Sequence, residues 1–261
     1  MNRSIVLSVV VAAALIATGC AKSPIGPGSQ VPQLPSTLSM SIPSMGDQGL
    51  GKQSAAASTI AHGLAAYAVS YWSLTVQLAL LEPVTLFAIT HSVDPTPLDD
   101  NGGYVWEIGD ANFSAQLTGR VENDSVRWSM AVSGGALNDF VWFEGVSTVT
   151  GKHGTWTFYD TAMTGGQYPA FVQFAYDVRN QADAEVKVSI IKQDDQYFGN
   201  YLQWAVDGDA CTFEAYDAQT PETILISWNK VTESGSVENV TTGAKACWDT
   251  KVNGYQDISC N

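Results

Sequence analysis

The stretch "IAHGLAAYAVSYWSLTVQLALLEPVTLFAI", Ile60 to Ile89, decides the architecture, because it is either a helix that crosses a membrane or a helix that packs into a folded domain. From Gln53 to Val93 the only formally charged side chain is Glu82, and a run this long meets the length requirement for a span. Its composition argues for packing. Small residues dominate the first half, and Ser70, Ser73, Thr75 and Gln77 stand where a lipid-facing helix prefers Leu or Ile. Pro83 removes a backbone donor and crowds the carbonyl four residues earlier, so a kink or break is expected near Leu80 to Pro83. A helix apolar nearly all round is expected to be enclosed by protein on most sides, with a membrane span as the competing reading.

The rest of the chain supplies the enclosure. After "DPTPLDDNGG" (94–103), alternating apolar and polar residues recur roughly every 10–15 positions with turn signals between them, the pattern of an antiparallel meander. The strands are expected at Tyr104–Ile108, Asn112–Val121, Ser125–Val132, Phe140–Val149, Thr155–Asp160 and Phe171–Val178. Six more are expected at Glu185–Lys192, Tyr201–Val206, Cys211–Tyr216, Thr223–Val231, Ser236–Trp248 and Tyr255–Ser259. No long helix interrupts them, which disfavours a parallel sheet. The expected fold class is mainly β with one long N-terminal helical segment. In it, about 10–12 antiparallel strands form a strongly curved sheet or partly open barrel wrapped around the apolar helix.

Seven tryptophans, at 106, 128, 142, 156, 204, 228 and 248, fall in these strands. Large aromatics at alternating strand positions build the face that packs on the core, and a sugar-stacking platform is the other use such rings have.

Cysteines give the sharpest local inference. The segment "CWDTKVNGYQDISC" (247–260) contains Asn253-Gly254, a strong signal for a two-residue hairpin loop. With those two residues as the loop, Cys247 faces Cys260 on a non-hydrogen-bonded rung, and a disulfide between them is expected. A turn at Asp207-Gly208 would likewise set Cys211 opposite Trp204 as a buried thiol packed on an aromatic ring.

The N-terminus reads as a targeting segment: Arg3 provides a positive start, "IVLSVVVAAALIA" (5–17) an apolar core, and Ala17-Thr18-Gly19-Cys20 follows. This motif resembles the lipobox of bacterial lipoproteins, although Ala17 stands where that family usually has Leu. The resemblance implies removal of residues 1–19, lipidation of Cys20 and, because Ala21 rather than Asp follows the cysteine, an outer-membrane address where the cell has one. An ordinary secretory peptide is the alternative. Residues 20–45, rich in Pro, Ser and Gly, are expected to form a flexible tether, and 46–261 a single globular domain with a helical segment at about 53–92 and the meander at about 103–260.

Charge restricts the partners. Twelve basic against 26 acidic side chains give a formal net charge of −14, which repels phosphate backbones and disfavours nucleic acid. Catalytic and metal signals are weak. His62, His91 and His153 have no metal-ligand spacing, no Gly-x-Ser-x-Gly elbow occurs, and the acidic turns around Asp94, Asp99 and Asp100, Asp194 and Asp195, and Asp207 and Asp209 match no calcium loop. No catalytic residue, metal ligand or cofactor is therefore assigned.

The expected role is that of a non-enzymatic, lipid-anchored cell-envelope protein, acting structurally or by recognition through loops such as Leu98–Gly103, Gly134–Asp139 and Met163–Pro169. The main rival is a carrier of a hydrophobic ligand such as lipid, and the third is a secreted hydrolase using carboxylates. What occupies the concave face separates the first two. If Leu64, Tyr71, Leu74, Leu78 and Leu81 fill it, no room is left for lipid, whereas a movable helical lid would leave a cavity of a few hundred Å³.

Overall fold

The computed structural model describes residues 31–42, 60–98, 103–110, 112–162, 167–251 and 254–260. The signal segment, Cys20 and most of the loops Leu98–Gly103 and Met163–Pro169 lie outside them. The described residues belong to one compact unit, Val31–Asn261.

A 3-10 turn, Thr37–Met40, precedes one α-helix, α1 (Ile60–Thr90). Fourteen strands follow, paired strictly in chain order and all antiparallel. They are β1 (Thr96–Pro97), β2 (Gly103–Gly109), β3 (Phe113–Glu122), β4 (Ser125–Gly134), β5 (Leu137–Thr148), β6 (His153–Tyr159) and β7 (Ala170–Asn180). The series continues with β8 (Asp183–Ile190), β9 (Tyr201–Asp207), β10 (Ala210–Asp217), β11 (Glu222–Asn229), β12 (Gly235–Asn239), β13 (Ala244–Lys251) and β14 (Gly254–Ile258). The fold class is that read from the sequence: mainly β, a single antiparallel meander, one long helix and a sheet that does not close. The segment expected as one strand, Ser236–Trp248, is two. Gly243, at φ 73°, turns the chain between them, and the Asn239 side chain accepts from the Thr242 amide to brace that turn.

The sheet curls because its inner face must be covered and its ladders are locally uneven. Burial alternates along β8 and β10, one residue in and the next out, so a single face carries the core. Register shifts interrupt the β4/β5, β6/β7 and β7/β8 ladders, and bulges of this kind bend a strand and increase its twist. The curl brings both ends of the sheet to the same helix: α1 packs on β2 and β3 near one end and on β12, β13 and β14 at the other.

Aromatic rings line the inner face. Trp106, Trp128, Trp156, Trp204, Trp228 and Trp248 are all buried, as expected. Trp142 is the exception and is only partly buried. Met130 pairs with Phe143 and Ala131 with Val141, so Trp142 is the extra residue of a bulge, which lets Phe140 and Phe143 both turn inward.

Small residues make room for these rings. Across β3 to β6 the paired positions run Gly119, Trp128, Gly145 and Trp156. A Cβ added at Gly119 would lie 2.5 Å from Cζ3 of Trp128, and one at Gly145 would overlap the Trp156 ring and the Thr155 carbonyl. Each indole thus lies flat over bare backbone and covers it from water.

Residues 31–42 depart from the expected tether. Met40 and Ile42 are 2% exposed, and Ser39 accepts a 3.1 Å hydrogen bond from Nε1 of buried Trp156. The 3-10 turn packs on β7, β8 and α1. Few apolar anchors sufficed because Met40 and Ile42 are buried and Leu34 and Leu38 pack partly against the core, and proline at 35 fixes an extended backbone whose carbonyl still accepts hydrogen bonds.

α1 runs unbroken through Pro83, so of the expected kink or break the break does not occur. Pro83 packs inward, and Ala79, whose carbonyl loses its partner, is on the exposed side where water can replace it. At the other end the Ala61 amide donates to Oδ1 of Asp257 at 3.3 Å, so a carboxylate from β14 caps the first turn and complements the helix dipole.

Two outcomes follow for stability. Gly145→Ala is expected to lower the unfolding free energy by about 1–3 kcal/mol, measured by thermal or urea denaturation, because an added methyl has no free volume. A chain truncated to residues 46–261 is expected to melt well below one spanning 21–261, since it exposes Trp156 and leaves its indole N–H without Ser39; equal melting temperatures would show that residues 31–42 contribute nothing.

Candidate interaction surface

The helix carries its small side chains inward and its large ones outward over most of its length. Ala61, Ala65, Val69 and Ser73 face the sheet in the first half, with Leu80, Pro83 and Phe87 following in the second. Leu64, Tyr71, Leu74, Leu78 and Leu81, the residues considered for filling the concave face, point away from it and are 52–65% exposed. A helix apolar on every side gives no periodic signal for which side is in, and the small face wins because it lets the helix axis approach a concave surface already occupied by indoles.

The outward face is a stripe with regular spacing. Ile60, Leu64, Tyr67, Tyr71, Leu74 and Leu78 follow one another at alternating intervals of four and three, continued by Leu81, Thr85 and Ala88. All of these positions are exposed, Ile60 at 78% and Tyr67 at 70%. Tyr67 and Tyr71 stack along it with ring centroids 6.0 Å apart. By length and composition α1 could cross a membrane, yet Ala65 and Phe87 are fully buried against the protein.

The inward face is tied to its surroundings at three levels. At the start, His62 stacks on Tyr255 (3.6 Å between centroids) and meets the edge of Trp248. Midway, the Gln77 side-chain amide donates to the Ile42 carbonyl at 3.0 Å. At the end, the two ring nitrogens of His91 face the Phe87 and Pro35 carbonyls at 3.2 and 3.0 Å, and a neutral imidazole donates to one of them at a time. The third histidine, His153, lies 3.1 Å from Asp177 at the surface.

The expected disulfide is present: Cys247 and Cys260 are bonded, with Cα atoms 5.4 Å apart. The hairpin register behind the expectation is not. Lys251 pairs with Gly254, so Gly254 belongs to β14 rather than to the loop, and Cys247 pairs with Ile258. A shift of two residues keeps Cys260 on the same side of the strand as Ile258, which is why the bridge survives the shift. It closes a 13-residue separation and contributes on the order of 3 kcal/mol. The same two-residue shift sets Cys211 opposite Val206, and Phe213 takes the position facing Trp204. Cys211 is a buried thiol outside the disulfide, and burial pushes its pKa up.

The loop expected at Gly134–Asp139 is a tight hairpin: Gly134 pairs with Leu137, and Ser133 bonds both the amide and the carboxylate of Asp139. Among the described residues no group of three or more His, Cys, Asp or Glu gathers into a metal-binding arrangement. A cleft of about 180 Å³ opens between Gln33–Leu34, the Thr150–Lys152 turn and Arg179–Gln181. That is below the roughly 300 Å³ at which small-molecule sites begin. Of the two cations that line it, Lys152 and Arg179, the second is already paired with Asp177 and Asp183.

Tyrosines bound to glutamates complete the electrostatics. Tyr159 donates to Glu144, and burial, followed by that carboxylate, raises its pKa to about 12. Tyr201 is held at about 12 mainly by its bond to Glu214. Burial also raises Tyr176 and Tyr255, the latter with help from Glu233. All four folded-state values lie above the ordinary value of 10.0, so the contribution is whole below about pH 10 and is lost as the pH rises through about 12. The phenolate absorbance of these four is therefore expected to appear together with alkaline unfolding; ionisation of Tyr159, Tyr176, Tyr201 and Tyr255 near pH 10 in a still-folded protein would contradict it.

No protein-family model, curated protein or solved structure matches the chain.

Proposed function

We propose that this is a non-enzymatic lipoprotein of the cell envelope, anchored through Cys20 and acting by recognition through the folded unit that begins at Val31. One observation carries the choice over a lipid carrier. The concave side of the sheet, where a carrier would hold its ligand, is occupied by the protein's own Met40, Ile42, Val69 and Phe87 packed among Trp106, Trp128 and Trp156. A ligand of lipid size would have to displace both α1 and residues 31–42. The lipobox-like Ala17-Thr18-Gly19-Cys20 supports the anchor, and the net charge of −14 supports a partner that is neither nucleic acid nor an anionic membrane surface.

Intact mass spectrometry tests both parts. The full chain, recovered from a bacterial envelope, is expected to begin at Cys20 and to carry a diacylglyceryl group with an added acyl chain. Residues 21–261, exported and purified without detergent, are expected to show one disulfide and no adduct. An unmodified N-terminus would remove the anchor, and a co-purifying lipid would replace the recognition role by the carrier.

A further inference from the structure

We infer that the outward stripe of α1 pairs with the same stripe of a second copy of this chain, forming a two-fold helix–helix contact centred on Leu74. The spacing specifies the kind of partner. Apolar residues at alternating intervals of four and three are what one helix presents when its ridges enter the grooves of another at a shallow angle, with axes 8–10 Å apart. From Ile60 to Ala88 the repeat holds without a slip, and Leu74 is its midpoint.

Size points the same way. The stripe is about 43 Å long at 1.5 Å per residue. Its large side chains, Ile60 to Leu81 at 52–78% exposed, present on the order of 1,000 Å² of apolar surface. Patches on monomers stop at roughly 600 Å², and two copies joined here would bury a total near 2,000 Å², within the range of stable homodimers.

Other occupants fit less well. The apolar segment 5–17 has 13 residues, about 20 Å even as a helix, less than half the stripe. Residues 43–59 offer only Met45 and Leu50 as large apolar side chains. A helix lying on a lipid surface carries Lys and Arg beside its apolar face, and α1 contains neither. From Gly63 to Gln77 the positions flanking the stripe are Gly63, Ala68, Ser70, Thr75 and Gln77, mostly small and none charged, and Glu82 follows two turns beyond Thr75 on the same flank. Glu82, the one acid, lies well away from the centre, so a two-fold axis through Leu74 does not set it against its own copy. The pairing does not require the lipid anchor.

Sedimentation equilibrium of residues 21–261 at micromolar concentration, without detergent, is expected to give twice the mass of one chain. Leu74→Glu with Leu78→Glu is expected to return the monomer with unchanged circular dichroism, since both side chains are exposed on the single chain, and with a melting temperature that is lower and no longer rises with protein concentration. Leu74→Cys is expected to crosslink to itself under mild oxidation, and Val231→Cys, 68% exposed elsewhere on the surface, is not. A monomeric wild-type chain, a dimer indifferent to the double substitution, or a Leu74→Cys chain that fails to crosslink would overturn the proposal. So would a monomer that floats with uncharged phosphatidylcholine vesicles through Leu74 and Leu78, which would assign the stripe to a lipid surface.

Discussion

The structure depends on how the gap between the two ends of an unclosed sheet is covered. Fourteen antiparallel strands curl far enough to surround a concave face of indole and phenyl rings, yet β1 and β14 do not pair. Left open, that face would expose more apolar surface than a soluble domain tolerates. α1 spans the gap, touching β2 and β3 on one side and β12 to β14 on the other, and residues 31–42 pack beneath it. Strand pairing, helix and N-terminal segment are therefore one cooperative unit, although nearly all ladder contacts are local in sequence.

That arrangement shifts stabilising contacts to places where sequence separation is large. Asp257 caps the helix from 196 residues away, Trp156 donates to Ser39 across 117, and His91 reaches back 56 residues to Pro35. The disulfide holds the end of β14 in place, so that Asp257 and Tyr255 remain against the start of α1. The edges are short, two residues in β1 and five in β14, which limits pairing with other chains along the sheet and leaves the helix as the apolar surface open to a partner.

Much of the site was readable only in part. The apolar character of Ile60–Ile89 and its avoidance of charge were plain, but the same uniformity erased the clue to orientation. The four-three spacing of the large residues was present in the letters all along. It acquired meaning only when the smaller face proved to be the buried one. The cysteine pair was found with a register two residues out, because side-chain direction repeats every second residue and the error preserved it.

The sequence by itself determined the class of fold, the chain-order meander, the inward tryptophans and the Cys247–Cys260 pairing, since each rests on period-two alternation or on turn chemistry acting over a few residues. Tertiary structure decided the rest. Trp142 turned aside because a bulge changed the local parity, residues 31–42 joined the core because a few well-placed apolar side chains outweighed a polar composition, and α1 faced outward with most of its leucines because along its first half the concave surface took only small side chains such as Ala61, Ala65 and Val69. Those outcomes depend on the volume left between distant segments, which no local pattern encodes.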